Sequence, residues 1–120
     1  MANIFIVDDS KVAREIIKDI LEEAAHNIVG EAANGEEFID SYDIIKPDLV
    51  TVDYEMPQMN GLDASVKIIE LDVDAKIIMI TSVMNKHGIL KALKAGVKEV
   101  LHKPIKKELL ASSVNRVLGV

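Results

Sequence analysis

The sequence predicts an α/β domain built on a parallel sheet with helices on both faces. Two observations carry this. Five short apolar runs alternate with five stretches of helical periodicity, without a linker, composition break or low-complexity tract. Three of the runs, at 4–7, 49–52 and 77–80, are almost wholly apolar, as strands buried on both faces should be. The second and fifth runs are shorter and mixed with polar residues (Gly30 and Glu31; Glu99 and His102), as edge strands can be. Right-handed crossovers then set all five strands parallel. Three interior and two edge strands suit the flavodoxin-like (βα)5 order 2-1-3-4-5, a precedent of this fold class rather than a deduction from these residues.

Each element has its own signal. After the first strand, Val12, Ile16, Ile17, Ile20, Leu21 and Ala24 recur at helical spacing, with Ser10 placed to cap the helix. The run Ile28-Val29 leads to the turn signal Asn34-Gly35, and a helix follows through Phe38, Ile39 and Tyr42. Pro47-Asp48 closes that helix before the third strand. Met56-Pro57 and Asn60-Gly61 mark a loop, and Leu62 to Leu71 read as helix. The fourth strand leads to a polar loop and a helix carrying Ile89, Leu90 and Leu93, ended by Gly96 as its C-cap. The fifth strand runs through Pro104 into a last helix with Leu109, Leu110, Val114, Val117 and Leu118.

A length of 120 residues fits one domain, enough to bury about two-thirds of the unfolded surface. An apolar fraction of 49% argues against disorder. No apolar run approaches the ~20 residues needed to span a bilayer, and the N-terminus lacks a signal peptide's layout. The absence of cysteine excludes disulfides and thiolate metal sites and suits a reducing cytoplasm. A net charge of −6 argues against bulk binding to nucleic acid. The charge is uneven, however: residues 1–60 hold four Lys/Arg against fourteen Asp/Glu, and residues 61–120 hold ten against six. Ordinary solvated helix faces account for such a split; a basic partner surface formed by Lys86, Lys91, Lys94, Lys98, Lys106 and Lys107 is the alternative.

Four of the five runs end in a residue able to handle a phosphoryl group: Asp8-Asp9, Asp53, Thr81, and Lys103-Pro104. In a parallel sheet all four groups reach the same edge, and ligands sit beyond the carboxyl ends of the strands where strand order reverses. Two carboxylates about 5 Å apart repel by about 3 kcal/mol at an effective dielectric near 20. Raised pKa values, Lys103 or a metal must offset that, and Mg²⁺ favours oxygen ligands of this kind. Asp53 is then the candidate nucleophile, with Lys103 neutralising charge and Thr81 donating a hydrogen bond to the transferring group. Each piece has a bland counterpart: a helix N-cap for Asp8-Asp9-Ser10, a turn start for Asp53, a helix cap for Thr81-Ser82, a solvated lysine before a helix-starting proline for Lys103. None of these explains why all four fall at the same ends of parallel strands.

On the acidic pair Asp8-Asp9, Pro47-Asp48 leading to Asp53, Met56-Pro57, Asn60-Gly61, Thr81, Ala95-Gly96 and Lys103-Pro104, the chain resembles the receiver domain of two-component response regulators along its whole length, residues 1–120. It is most similar to the stand-alone chemotaxis (CheY-like) type. The resemblance implies a phosphoacceptor, Asp53, that takes a phosphoryl group from a sensor histidine kinase. It implies Mg²⁺ held by Asp8, Asp9, Asp53 and the backbone carbonyl of Glu55, with Asp9 a direct ligand. It also implies a cis Lys103-Pro104 bond that aims the lysine at the site. Such domains catalyse only their own phosphorylation and dephosphorylation. They are cytoplasmic and signal to a downstream partner, such as a flagellar or chemotaxis component, through the fourth helix, fifth strand and fifth helix. With no effector domain in the chain, the output is a separate protein, unless the chain is a receiver excised from a larger regulator; a phosphorelay intermediate is a further alternative.

The family's usual aromatic residue three positions before the lysine is Val100 here, so the signal is expected to run through Thr81 and its loop, with Gly88 loosening the next helix. Glu55 and Val83, two residues beyond Asp53 and Thr81, flank the expected path of attacking water. His26, His87 and His102 lack metal spacing and read as surface residues; His102 shares a strand face with Val100. Met56, Met59 and Met84 read as loop packing. An aspartate-nucleophile phosphatase is disfavoured because Asp8 is followed by Asp9 and Ser10 instead of a second Asp two residues on. A non-phosphorylated scaffold is disfavoured by the intact acids and Lys103, and a nucleotide-binding protein by the absence of a glycine-rich loop.

Overall fold

A computed structural model describes residues 1–83 and 85–120. The elements are β1 (Asn3–Val7), α1 (Lys11–Glu23), β2 (Asn27–Ala32), α2 (Gly35–Ile45), β3 (Leu49–Asp53), α3 (Gly61–Leu71), β4 (Ile77–Thr81), α4 (Lys86–Ala95), β5 (Glu99–His102) and α5 (Lys107–Leu118). The strands form one parallel sheet, as the alternation of runs predicts, and their order is the β2-β1-β3-β4-β5 that precedent in the fold class suggests. No helix among the described residues is long and apolar enough to cross a membrane.

Successive strand residues point to opposite faces, so each interior strand feeds two cores. On one face Phe5, Val7, Val50, Val52, Ile77 and Met79 pack against Phe38 and Tyr42 of α2, Leu62 and Ile68 of α3, and Ala92 of α4. On the other, Ile4, Ile6, Leu49, Ile78 and Ile80 meet Ile17 and Leu21 of α1 and Leu110 and Val114 of α5. The helices therefore divide between the faces, and all five strands present their C-terminal ends along one edge.

Local chemistry sets the helix ends. Ser10 caps α1 by accepting a hydrogen bond from the Ala13 amide; Asn34, Asn60 and Asn85 do the same for α2, α3 and α4. Gly96 ends α4 with φ +114°, a left-handed conformation that favours glycine.

Several expectations need correction. The second strand is not shorter than the interior ones: it runs six residues, Asn27–Ala32, because Gly30, Glu31 and Ala32 continue the ladder with β1 after a register shift. Only Ile17 and Leu21 of the apolar series on α1 are fully buried; Val12 and Ile16 are 66% and 50% exposed, because the helix seats a narrower stripe on the sheet. His26 is not a surface residue: it is buried where α1 turns into β2, and its Nδ1 accepts a hydrogen bond from the Ala2 amide at 3.1 Å. His87 is exposed, whereas His102 is half-buried. Val83 is 52% exposed. Met56 is buried and Met59 half-buried; Met84 lies outside the described residues.

Candidate functional site

The register of the sheet brings the chemistry-bearing residues together. Val7 of β1 pairs with Val52 of β3, so Asp8 and Asp53 both follow directly from one rung of the ladder. Asp53 pairs with Ile80, and Thr81 with His102, the residue before Lys103. Two of the three acids are held inside the protein: Asp8 is fully buried and Asp53 only 2% exposed, while Asp9 is exposed to solvent. One carboxylate oxygen from each of the three lies within 4.8 Å of the others.

Lys103 answers part of that charge. Its Nζ lies 3.3 Å from Asp8 Oδ2 and 3.1 Å from Asp53 Oδ1. The contact with Asp8 is a hydrogen bond. The contact with Asp53 is charge pairing in a poor direction, so Asp53 Oδ1 has no directed donor among the described residues. Burial, followed by repulsion from Asp8, pushes the Asp53 carboxyl up to about 6 against the pull of Lys103. Burial works to lower the Lys103 ammonium, but Asp53 and Asp8 outweigh it and hold the group above its ordinary value. A buried carboxylate with an oxygen short of donors, facing two more carboxylates, is a donor set suited to a hard divalent cation. The Lys103–Pro104 peptide is cis.

The backbone around Asp53 is built for close approach. The Tyr54 amide donates to Ile80 O, and the Gly61 amide donates to Tyr54 O, each at 2.8 Å. A Cβ on Gly61 would lie 2.2 Å from the Asp53 carbonyl oxygen, so the turn from Asp53 back to α3 admits only glycine there.

Thr81 is buried at the tip of β4, but its hydroxyl does not point to Asp53 as a donor. It donates to Glu55 Oε2 at 2.5 Å, and the Ser82 amide donates to Glu55 Oε1 at 3.1 Å. Burial works to raise the Glu55 carboxyl, but these donors outweigh it and hold the group below its ordinary value. The helix-cap reading of Thr81-Ser82 fails, since Asn85 caps α4. Beside Thr81 lies a cavity of about 110 Å³ lined by Tyr54, Met79, Val83, Gly88, Ala92 and Val100. Val100 is half-buried and leaves this space unfilled.

One participant, and the side-chain contacts of another, escaped the sequence. Arg14, on the first turns of α1, donates from its guanidinium to the Asp8 carbonyl at 2.6 Å and to Glu31 of β2 at 2.9 Å, tying the acidic loop to the edge strand. A lone arginine one turn after two acids was the available signal. The Glu55 contacts had none, because they join groups 26 and 27 residues apart. The lysines of the basic cluster are all exposed, and Lys107 pairs with Glu23 of α1.

Known proteins resemble this chain in sequence and fold. A family model, the response regulator receiver domain, matches residues 4–115. The chain is 39% identical over 114 residues to the chemotaxis protein CheY of Thermotoga maritima, covering 95% of each chain. It is 36% identical over 116 residues to the chemotaxis protein CheY of Bacillus subtilis, covering 97% of each. Among solved structures it is similar to the CheX-CheY-BeF3-Mg+2 complex from Borrelia burgdorferi, with a TM-score of 0.93, 32% identity, and coverage of 96% of this chain and 87% of that one. Matched by the family model from its first strand into its last helix, and by full-length relatives at these identities, the chain belongs to the response regulator receiver domain family.

Proposed function

We propose that the protein is a phosphorylation-controlled binding module in which Asp53 accepts a phosphoryl group from the phosphohistidine of a sensor kinase. The observation that carries this reading is the placement of Asp53: buried at a central strand tip, with Asp8 and Asp9 oxygens within 4.8 Å and Lys103 Nζ at 3.1 Å. Its Oδ1, without a directed donor among the described residues, and the raised carboxyl pKa describe a nucleophile poorly solvated in its ground state.

Asp8, Asp9, Asp53 and the backbone carbonyl of Glu55 are the groups that would hold Mg²⁺. The bound cation supplies positive charge against the oxygens of the transferring group. A carboxylate oxygen of Asp53 attacks phosphorus, the phosphorus–nitrogen bond to the imidazole breaks, and the departing nitrogen takes the electron pair and a proton from solvent. Lys103, already between Asp8 and Asp53, neutralises charge on the acyl phosphate that results. Water attack on phosphorus breaks the new bond and returns the carboxylate and inorganic phosphate, so the protein resets itself and turns over no external substrate.

The output is a shift between two states of differing affinity for a partner, with a coupling of about 1–3 kcal/mol. The exposed lysines on and beside α4 and α5 support a partner surface on that face, and the chemotaxis proteins among the relatives support a cytoplasmic chemotaxis or flagellar component as the leading target. Incubation with acetyl phosphate and Mg²⁺, followed by intact-mass measurement, tests the reading. One labile phosphoryl adduct is expected on the wild type and none on Asp53→Asn. A wild type that stays unmodified, or an equal adduct on the variant, overturns it.

A further inference from the structure

The proposed chemistry needs donors for the oxygens of a phosphoryl group on Asp53, and the two nearest at the tip of β4 are already engaged. The Thr81 hydroxyl has one proton to give and gives it to Glu55 Oε2 at 2.5 Å; the Ser82 amide gives its own to Glu55 Oε1 at 3.1 Å. Both are charge-assisted bonds to the same carboxylate, which are roughly twice as strong as neutral ones. Glu55 belongs to the loop after β3, two residues beyond the phosphoacceptor, and it reaches across to the neighbouring strand to make them. A carboxylate that binds a hydroxyl and the next amide with its two oxygens offers two anionic acceptors, as one edge of a phosphoryl group would.

We propose that Glu55 is an internal stand-in for the phosphoryl group, holding Thr81 and the segment after β4 in the unmodified arrangement until phosphorylation of Asp53 displaces it. The inference rests on the reading of Asp53 as phosphoacceptor. The Glu55 charge is felt at Asp53, where it adds to the forces that disfavour the ionised carboxylate. A phosphoryl group there brings about two negative charges and three acceptor oxygens, so it both repels Glu55 and competes for its donors. The Val83 amide is tied to the same hydroxyl at 3.1 Å, so a turn of Thr81 carries the start of the β4–α4 segment with it. The cavity of about 110 Å³ beside Thr81, left by Val100, is the space into which that turn is free to occur. Switching in this chain thereby depends on an exchange of acceptors at Thr81 where an aromatic side chain is absent.

The test uses beryllium fluoride as the phosphoryl probe, at saturating Mg²⁺ and fixed ionic strength, with wild type, Glu55→Ala and Glu55→Gln. Affinity is read by titration, and the Ser82 amide proton resonance is followed by nuclear magnetic resonance. Glu55→Ala is expected to bind the probe about tenfold more tightly, within the range of ordinary coupling. Its Ser82 resonance should lie upfield of wild type before any probe is added. Glu55→Gln keeps an acceptor oxygen without the charge and should fall between the two. Equal affinities within twofold for all three proteins overturn the stand-in role while leaving the phosphoacceptor reading intact. So does a Glu55→Gln that matches Glu55→Ala with an unmoved Ser82 resonance, which would make Glu55 a nearby charge and nothing more. A wild type that binds no probe and gains no phosphoryl from acetyl phosphate defeats the parent reading instead.

Discussion

The two ends of the candidate site are built on opposite principles. At the tips of β1 and β3, Asp8 and Asp53 are buried against each other, and Asp53 Oδ1 lacks a directed donor among the described residues. At the tip of β4, one strand away, Thr81, Ser82 and Glu55 satisfy one another completely. The first end is held in electrostatic tension by the rigid sheet beneath it, a tension that a divalent cation would relieve. The second end is relaxed, and under the proposed switch it gives up its bonds to respond. Such a switch pairs a site that receives a charge with a segment that reports it, and the two start from opposite conditions.

Lys103 is the group that keeps the first end from flying apart, so removing it is the severest way to break the comparison. Lys103→Ala should slow phosphorylation from acetyl phosphate by about 10²–10³-fold, the loss typical for a preorganised charge-stabilising group. Quench-flow mass measurement checks it, and a loss below fivefold would place the lysine's role in structure alone. Metal binding sharpens the contrast next. Mg²⁺ at about 100 times its dissociation constant should stabilise the wild type by about 2.7 kcal/mol in urea titrations. Asp9→Asn should lose most of that gain.

The tension also has a pH signature. The Asp53 carboxyl sits near 6 in the folded protein, above its ordinary value of 3.8. Between those values the folded chain binds more protons than the unfolded one, so stability falls as pH rises through that window. Asp53→Asn should therefore be more stable than wild type by about 1–3 kcal/mol at pH 8, and the advantage should vanish below about pH 4. A variant no more stable at pH 8 would mean that Lys103 already cancels the repulsion. The relaxed end offers the smallest effect: Asn85→Ala removes the α4 cap and should cost about 1 kcal/mol, with little change in phosphorylation rate.

The chemistry-bearing strand tips were legible in the sequence because the apolar runs located the ends of β1, β3, β4 and β5 to within a residue, and a parallel sheet has only one edge for those ends to share. Asp8, Asp53, Thr81 and Lys103 could all be named on that basis. The burial of His26 was not legible, since a histidine beside a turn carries no mark of the amide it will accept from. The exposure of Val12 and Ile16 was hidden for a related reason: helical spacing shows which residues share a face but not how wide a stripe the sheet will cover.

What the order of residues determined by itself was therefore the class of fold, the edge on which the chemistry lies, and the family to which the chain belongs. The first two follow from patterns repeated locally along the backbone, where periods of two and 3.6 residues dictate which way each side chain faces, and the third from the motif residues at the strand tips and in the loops. What only the tertiary structure decided was partnership. Whether Thr81 serves Asp53 or Glu55, whether Asp53 keeps a full set of donors, and where Arg14 ties down the acidic loop depend on which atoms meet across strands 17 to 50 residues apart. A side chain's preferred partner is settled by distances and directions in space, and no local pattern encodes those.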